Sequence, residues 1–301
     1  MDVGGELGFL LRQRETFLGV ETRLDESSYF FFGFPYDLTS SFRLGARHGP
    51  EAVRRFSANL EVNSLVKPFD ATSAKVFDGG DIAYDNRLST MLKRVYRVVK
   101  KTVELGKTPV MVGGEHTGTL PATLALGNKA SAIVVLDAHF DLREEYGGLR
   151  VNHATYLRRL LEKRPEMKTV LLGVRGYDLA EEKFARDRGI VYVKASEVCD
   201  VSRTFRLLRD CLKGRDVYVS VDVDVLDPSY APGVGNPEPG GLTVSEVVEL
   251  VHYLGGFRLV GFDLMEVNPV YDNGLTAAAA TRILVELLAC KKPSQEVLGW
   301  R

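Results

Sequence analysis

A chain of 301 residues is long enough to bury a sizeable core, as one large domain or two average ones. With 26% charged residues, 45% apolar residues and a formal net charge of -1, it carries no broad basic field for nucleic acid and has the balance of an ordinary soluble globular protein. No apolar stretch is long enough to cross a bilayer, and a start containing Asp2 and Glu6 without a basic region does not resemble a signal peptide, so a cytoplasmic protein with no membrane partner is expected.

Strand patterns fall at residues 29–34, 109–112, 132–136, 170–174, 190–193, 217–221 and 259–264. Between the first two, residues 89–107 form the clearest helix pattern: Met91, Leu92, Val95, Val98, Val99, Thr102 and Val103 make an apolar stripe, Ser89 can cap it and Gly106 can end it. Farther on, Thr243-Val244-Ser245-Glu246 is a capping-box pattern ahead of Val247, Leu250, Val251 and Leu254, with Gly255 as the stop. The last helix is expected over 276–291, stopped by Pro293. Strands alternating with helices predict a parallel sheet covered on both faces, because parallel neighbours need crossover connections. The Gly- and Pro-rich stretches at Gly113-Gly114 and at 232–241 follow strands instead of separating domains, so a single domain over 1–301 is expected. Cys199, Cys211 and Cys290 lack paired spacing and read as buried structural thiols.

Two strand ends carry unusual chemistry. Asp137-Ala138-His139-Phe140-Asp141 follows one apolar run and Asp222-Val223-Asp224 another. If the strands continue through these segments, alternation aims Asp137, His139 and Asp141 to one side, and Asp222 and Asp224 likewise. An aspartate capping a helix explains one of these residues, but not two more ligand types beside it. Asp227, before Pro228, reads as a loop-entry acid. After the strand at 109–112 comes Gly113-Gly114-Glu115-His116-Thr117, which offers His116 as a sixth ligand. Carboxylates crowded in this way repel one another unless cations neutralise them. Four carboxylates and two imidazoles without a thiolate disfavour structural zinc and suit two harder divalent ions such as Mn²⁺, about 3.5 to 4 Å apart. Hydrolysis is the reaction class that such a site predicts.

In order, Gly-Gly-Glu-His-Thr at 113–117, Asp-Ala-His-Phe-Asp at 137–141, Ser-Val-Asp-Val-Asp-Val-Leu-Asp-Pro at 220–228 and Gly-Phe-Asp-Leu-Met-Glu-Val-Asn-Pro at 261–269 resemble the ureohydrolase family of arginases and agmatinases. Gly-Phe-Pro-Tyr-Asp at 33–37 and Gly-Ala-Arg-His-Gly-Pro at 45–50 extend the likeness over most of the chain. The resemblance implies a three-layer αβα sandwich with a central, mainly parallel sheet, shared with deacetylases. It also implies two Mn²⁺ per chain, a small guanidino substrate, and a homo-oligomer often built on trimers. It assigns His116, Asp137, Asp141 and Asp222 to one ion and Asp137, His139, Asp222 and Asp224 to the other. Asp141 would also orient the attacking hydroxide, Glu266 would pair with the guanidinium, and His153 would shuttle a proton to the leaving amine. Asn152, His153 and Asn236 join Glu266 as expected substrate contacts.

The substrate implied most directly is agmatine, cleaved to putrescine and urea in polyamine synthesis. Arginases carry Ser and Asn where this chain has Leu149 and Val151, which supply no side-chain hydrogen bond to an amino-acid carboxylate. Glu115 stands where Asp is usual, Phe140 replaces a smaller residue and points away from the ligands, and Val234 and Asn236 replace two threonines near the guanidinium. Arg150 leaves an acidic substrate open, such as guanidinobutyrate or formiminoglutamate, beside an aminopropyl agmatine or arginine. A mononuclear-zinc amidohydrolase of the deacetylase type and a non-catalytic relative are the competing classes.

Overall fold

Phe30, Phe32 and Phe34 pack on one face of the first long strand while Tyr29 and Phe31 pack on the other, and every one of them is buried. That is the alternation a strand covered on both sides demands. The computed structural model describes residues 11–12, 15–198 and 201–290. Its strands are β1 (Leu11–Arg12), β2 (Tyr29–Phe34), β3 (Val76–Ile82), β4 (Thr108–Gly113), β5 (Ala132–Leu136), β6 (Lys168–Val174), β7 (Val191–Lys194), β8 (Asp216–Asp222) and β9 (Arg258–Met265). They form one sheet in the order β1-β3-β2-β4-β9-β8-β5-β6-β7, parallel throughout except for the short β1 at the edge.

Helices fill the outer layers. Gly49–Ser57, Val201–Leu212, Val244–Leu254 and Leu275–Ala289 cover the face that carries Phe31, Val134 and Val219. Leu88–Glu104, Thr119–Leu126, Tyr156–Lys163 and Leu179–Asp187 cover the face that carries Phe32, Val135 and Met111. The expected three-layer αβα sandwich is therefore the fold. Among the described residues no helix is long and apolar enough to cross a membrane.

Several boundaries differ from the sequence expectation. The helix expected from Ser89 starts at Leu88, because Asp85 accepts both the Arg87 backbone N–H and its guanidinium and so sets the first turn one residue earlier, with no capping bond from Ser89. The capping box at Thr243 and Glu246 is present. The last helix ends at Ala289; Lys291 and Pro293 lie outside the described residues, as does Cys199. Of the other two thiols Cys290 is buried, whereas Cys211 is only partly so.

Strand β3 has no counterpart in the sequence reading, for its middle is Asp78-Gly79-Gly80-Asp81. Those acids are buried because Arg54, itself fully buried, donates from Nε and Nη2 to Asp78 at 2.8 and 3.0 Å and from Nη1 to Asp81 at 2.5 Å. The Phe17 backbone N–H also donates to Asp78, at 2.8 Å, and the Arg54 guanidinium lies over the Phe31 ring. Arg54→Ala would strand two buried carboxylates, at a cost of about 3–5 kcal/mol. The expected result is a clearly lower urea-unfolding midpoint; an unchanged midpoint would show that the triad does not hold this edge of the sheet.

Candidate metal centre and active-site cavity

Strands β4, β9, β8 and β5 are adjacent, and the residues singled out in the sequence lie at or just beyond their C-terminal ends. This is the edge at which open α/β sheets bind ligands. Pairing of Leu136 with Val221 brings Asp137 beside Asp222, and pairing of Asp222 with Met265 puts Glu266 at the end of the strand on the other side of β8. Gly114 fits between strands where a side chain would not: a Cβ there would stand 2.0 Å from the Tyr36 carbonyl oxygen. Its own carbonyl accepts the Glu266 N–H at 2.8 Å, which ties the turn bearing His116 to the end of β9.

The acids do not converge through strand alternation. Strand β5 stops at Leu136, and Asp224 sits in the 3-10 turn Val223–Val225. Short side-chain turns replace the pleat: Asp137 Oδ1 accepts the His139 N–H at 2.6 Å, and Asp222 Oδ1 accepts the Asp224 N–H at 2.9 Å. Asp141 and Glu266 take positive φ angles of 53° and 66°, a conformation that non-glycine residues rarely adopt and that strained functional positions favour.

The result is two overlapping trios of ligand atoms, His116 with Asp137 and Asp222, and Asp137 with His139 and Asp224, each trio within 4.8 Å. His116 Nδ1 lies 3.2 Å from Asp137, 3.1 Å from Asp222 and 3.5 Å from Asp141, while His139 Nδ1 lies 3.0 Å from Asp224. Behind the ring, His116 Nε2 is 2.8 Å from Ser220 Oγ and 3.0 Å from the Tyr156 hydroxyl. Ser220 spends its own proton on Asp263, at 2.5 Å, and therefore accepts from His116 Nε2–H. That bond fixes the tautomer in which Nδ1 presents a lone pair to the cluster.

A cation fits this arrangement. His116 Nδ1 and Asp137 Oδ2 are buried without a hydrogen-bond partner, the state expected of atoms shaped for a metal. Burial, and then the charge of Asp137, push the Asp141 carboxyl well above its usual range; burial, and then Asp224 and Asp137, do the same to Asp222. Burial disfavours a charged His116, yet Asp137 and Asp222 overrule it and raise its pKa well above the ordinary value. The cluster thus draws in positive charge from whatever source is available.

A cavity of about 210 Å³ opens over the cluster. His153 and Glu266 line it together with Asp141 and Asn236. Glu266 Oε1 accepts the His116 N–H at 2.9 Å, and its carboxyl is pushed up to about 8 by burial and then by the nearby Glu115 charge. An incoming guanidinium would relieve that strain. Burial pushes His153 down to about 4, so the ring is neutral at physiological pH. Asn152 is not among the lining residues: its amide donates to the Tyr146 and Leu149 carbonyls and its Oδ1 accepts the Ala154 N–H, so it holds the loop instead of meeting substrate. Val234 is buried, and Phe140 packs edge-on between Tyr177 and Tyr192, away from the ligands. Arg150 lines a separate surface hollow with Arg143 and Arg158.

Other cavity residues were not singled out in the sequence. Ser41, Tyr146, Glu181 and Glu238 line the cavity, and Arg143 lines both hollows with its guanidinium on Asp178 at 2.7 Å. Tyr146 stands at a two-glycine turn, Gly147-Gly148, whose positive φ angles suit a tight hairpin, and it meets His153 edge-on. Arg175 donates to the carbonyls of Gly173, Asp224, Val225, Leu226 and Glu238, which fixes the Asp224 turn. These roles come from backbone carbonyls and loops distant in sequence, for which residue type gives no signal.

Similarity to known proteins agrees with this geometry. The arginase family profile matches residues 27–290. The chain is 34% identical over 292 residues to an agmatinase of Bacillus anthracis, covering 95% of this chain and 96% of that protein. It is 37% identical over 269 residues to a guanidinopropionase of Pseudomonas aeruginosa, covering 85% and 84%. The crystal structure of an agmatine ureohydrolase of Thermoplasma volcanium is similar at a TM-score of 0.84 and 32% identity, covering 95% of this chain and 97% of that one. The chain belongs to the arginase family and is a hydrolase of guanidino C–N bonds.

Proposed function

We propose that the chain hydrolyses agmatine to putrescine and urea with two Mn²⁺ ions. The observation that carries the two-ion part is the pair of ligand trios sharing Asp137, with buried, unpartnered acceptor atoms on His116 and Asp137. His116, Asp137, Asp141 and Asp222 would hold one ion, and Asp137, His139, Asp222 and Asp224 the other. The oxygen- and imidazole-rich set without a thiolate supports manganese over zinc. When bound, such a pair polarises the substrate carbon and lowers the pKa of a water to near neutrality.

The remaining steps belong to the protein. Glu266 receives the guanidinium; a Cβ at Gly235 would stand only 3.2 Å from Oε2, so the glycine leaves that carboxylate oxygen open to the cavity. Asp141, held at its positive φ beside the cluster, orients the attacking oxygen by accepting its proton. His153, neutral at rest, lines the same cavity and relays a proton to the departing amine, giving the one on one ring nitrogen as the other takes a replacement from water.

The agmatine assignment rests on the outer wall. Glu238 lines it with a part-exposed carboxylate 3.7 Å from His139, while the one Arg among the lining residues, Arg143, is already committed to Asp178 and to Glu181, itself a lining residue. Such a wall favours a substrate tail bearing an amine over one bearing a carboxylate. A second reading, a guanidino acid, draws on the likeness to the guanidinopropionase, but Arg150 faces a neighbouring hollow.

In a urea-release assay with Mn²⁺, Asp141→Asn is expected to abolish turnover. Glu266→Gln should lower kcat/KM by about a hundredfold, the loss typical of removing one partner of a buried charge pair, with bound metal unchanged. Turnover like that of the wild type in either variant would sink the assigned roles. Across agmatine, an aminopropyl agmatine, arginine, guanidinobutyrate, guanidinopropionate and formiminoglutamate, with formamide scored for the last, agmatine is expected to have the highest kcat/KM. A guanidino acid that leads the panel, and loses its lead in Arg150→Ala, would establish the second reading instead.

A further inference from the structure

Three loops meet at the rim of the cavity, and one hydroxyl joins them. Ser41 Oγ lies 3.1 Å from His153 Nε2, and Asn236 Nδ2 donates to the same oxygen at 3.1 Å, with its Oδ1 3.4 Å away. All three side chains line the cavity over the ligand cluster. Neither Ser41 nor the chain it forms is visible as a motif.

The position of Ser41 is fixed from both sides. Upstream, the Thr39 N–H and hydroxyl donate to the buried Glu115 carboxylate at 2.7 and 2.5 Å, and Glu115 directly precedes His116. Asp37 closes the base of the loop, accepting the Gly45 N–H at 2.7 Å and pairing with Arg47. Downstream, Asn268 Nδ2 donates to the Arg43 carbonyl at 3.1 Å. A loop tied in this way holds its hydroxyl in register with the ligand cluster.

His153 needs such a hold. Tyr146 meets the ring edge-on without a hydrogen bond, Nδ1 is buried with no well-formed hydrogen bond, and the other polar group acting on the ring is the Thr39 backbone, in the same loop as Ser41. We infer that Ser41 is a positioning residue: its hydroxyl, steadied by Asn236, fixes the orientation from which the His153 imidazole serves the leaving amine. The inference rests on the ureohydrolase reading and on His153 acting at that amine. A ring that is misoriented only for the proton transfer weakens the transition state and not the bound substrate.

The test compares wild type, Ser41→Ala, Ser41→Thr, Asn236→Ala and the double alanine variant on the guanidino substrate that the wild type turns over fastest, with urea release as the readout. Ser41→Ala should lower kcat about 10- to 100-fold, the range for residues that orient a functional histidine, with KM changed less than about twofold. Ser41→Thr, which keeps the hydroxyl, should recover most of the lost rate, and the double variant should be no slower than Ser41→Ala alone. An unchanged kcat in Ser41→Ala, a loss confined to KM, or no recovery in Ser41→Thr would overturn the inference. A wild type that releases urea from no guanidino compound removes the ureohydrolase reading and this inference with it. An active wild type beside an indifferent Ser41→Ala removes this inference alone.

Discussion

Like charge crowded at the end of a parallel sheet is the constraint to which everything else answers. Asp137, Asp141, Asp222 and Asp224 stand at the C-terminal ends of β5 and β8, buried, with His116 and His139 among them. Burial and mutual repulsion oppose ionisation of such a group, so it holds together only with positive charge inside it. The surroundings are built to that end. Ser220 and Tyr156 fix the His116 ring from behind, Asp263 anchors Ser220, and Arg175 spends its guanidinium on the backbone around Asp224. A cluster this highly charged needs a scaffold that does not yield, and four adjacent strands buried on both faces supply it.

Much of that scaffold was legible in the sequence because doubly buried strands read as unbroken apolar runs. Seven strands were anticipated near their observed positions, among them 132–136 at its observed limits. Strand β3 was hidden by Asp78-Gly79-Gly80-Asp81, whose burial depends on Arg54, distant in sequence. The helix Thr119–Leu126 escaped for a different reason: it is buried nearly all round and shows no amphipathic stripe. The ligand residues were legible from their types and order, but the geometry first assigned to them was not the one observed. Side-chain turns at Asp137 and Asp222, not strand pleating, bring the oxygens together. Ser41 and Arg175 depend on contacts between loops, which sequence spacing does not encode, whereas Asn152 is committed to the backbone of its own loop.

In the proposed reading, one part of the cavity lining serves the reaction and another selects the substrate. Glu266 and Asp141, both at positive φ, belong to the first part, where backbone strain is tolerated because neighbouring strands hold it. The second part is a patchwork of the Tyr146 turn, Glu181, Glu238 and the Ser41 loop. Relatives named for different guanidino substrates match this chain at similar identity, 34% and 37%. Under the proposed agmatine reading, the Glu238 carboxylate and the pairing of Arg143 with Asp178 would favour an amine-bearing tail over an acidic one.

The central claim is that this cluster is a two-ion site, and metal stoichiometry tests it most directly. Protein stripped of metal and reconstituted with Mn²⁺ should retain two ions per chain after buffer exchange, with urea release rising as the second ion binds. One tightly held Zn²⁺ per chain, with no activation by Mn²⁺, would contradict the account.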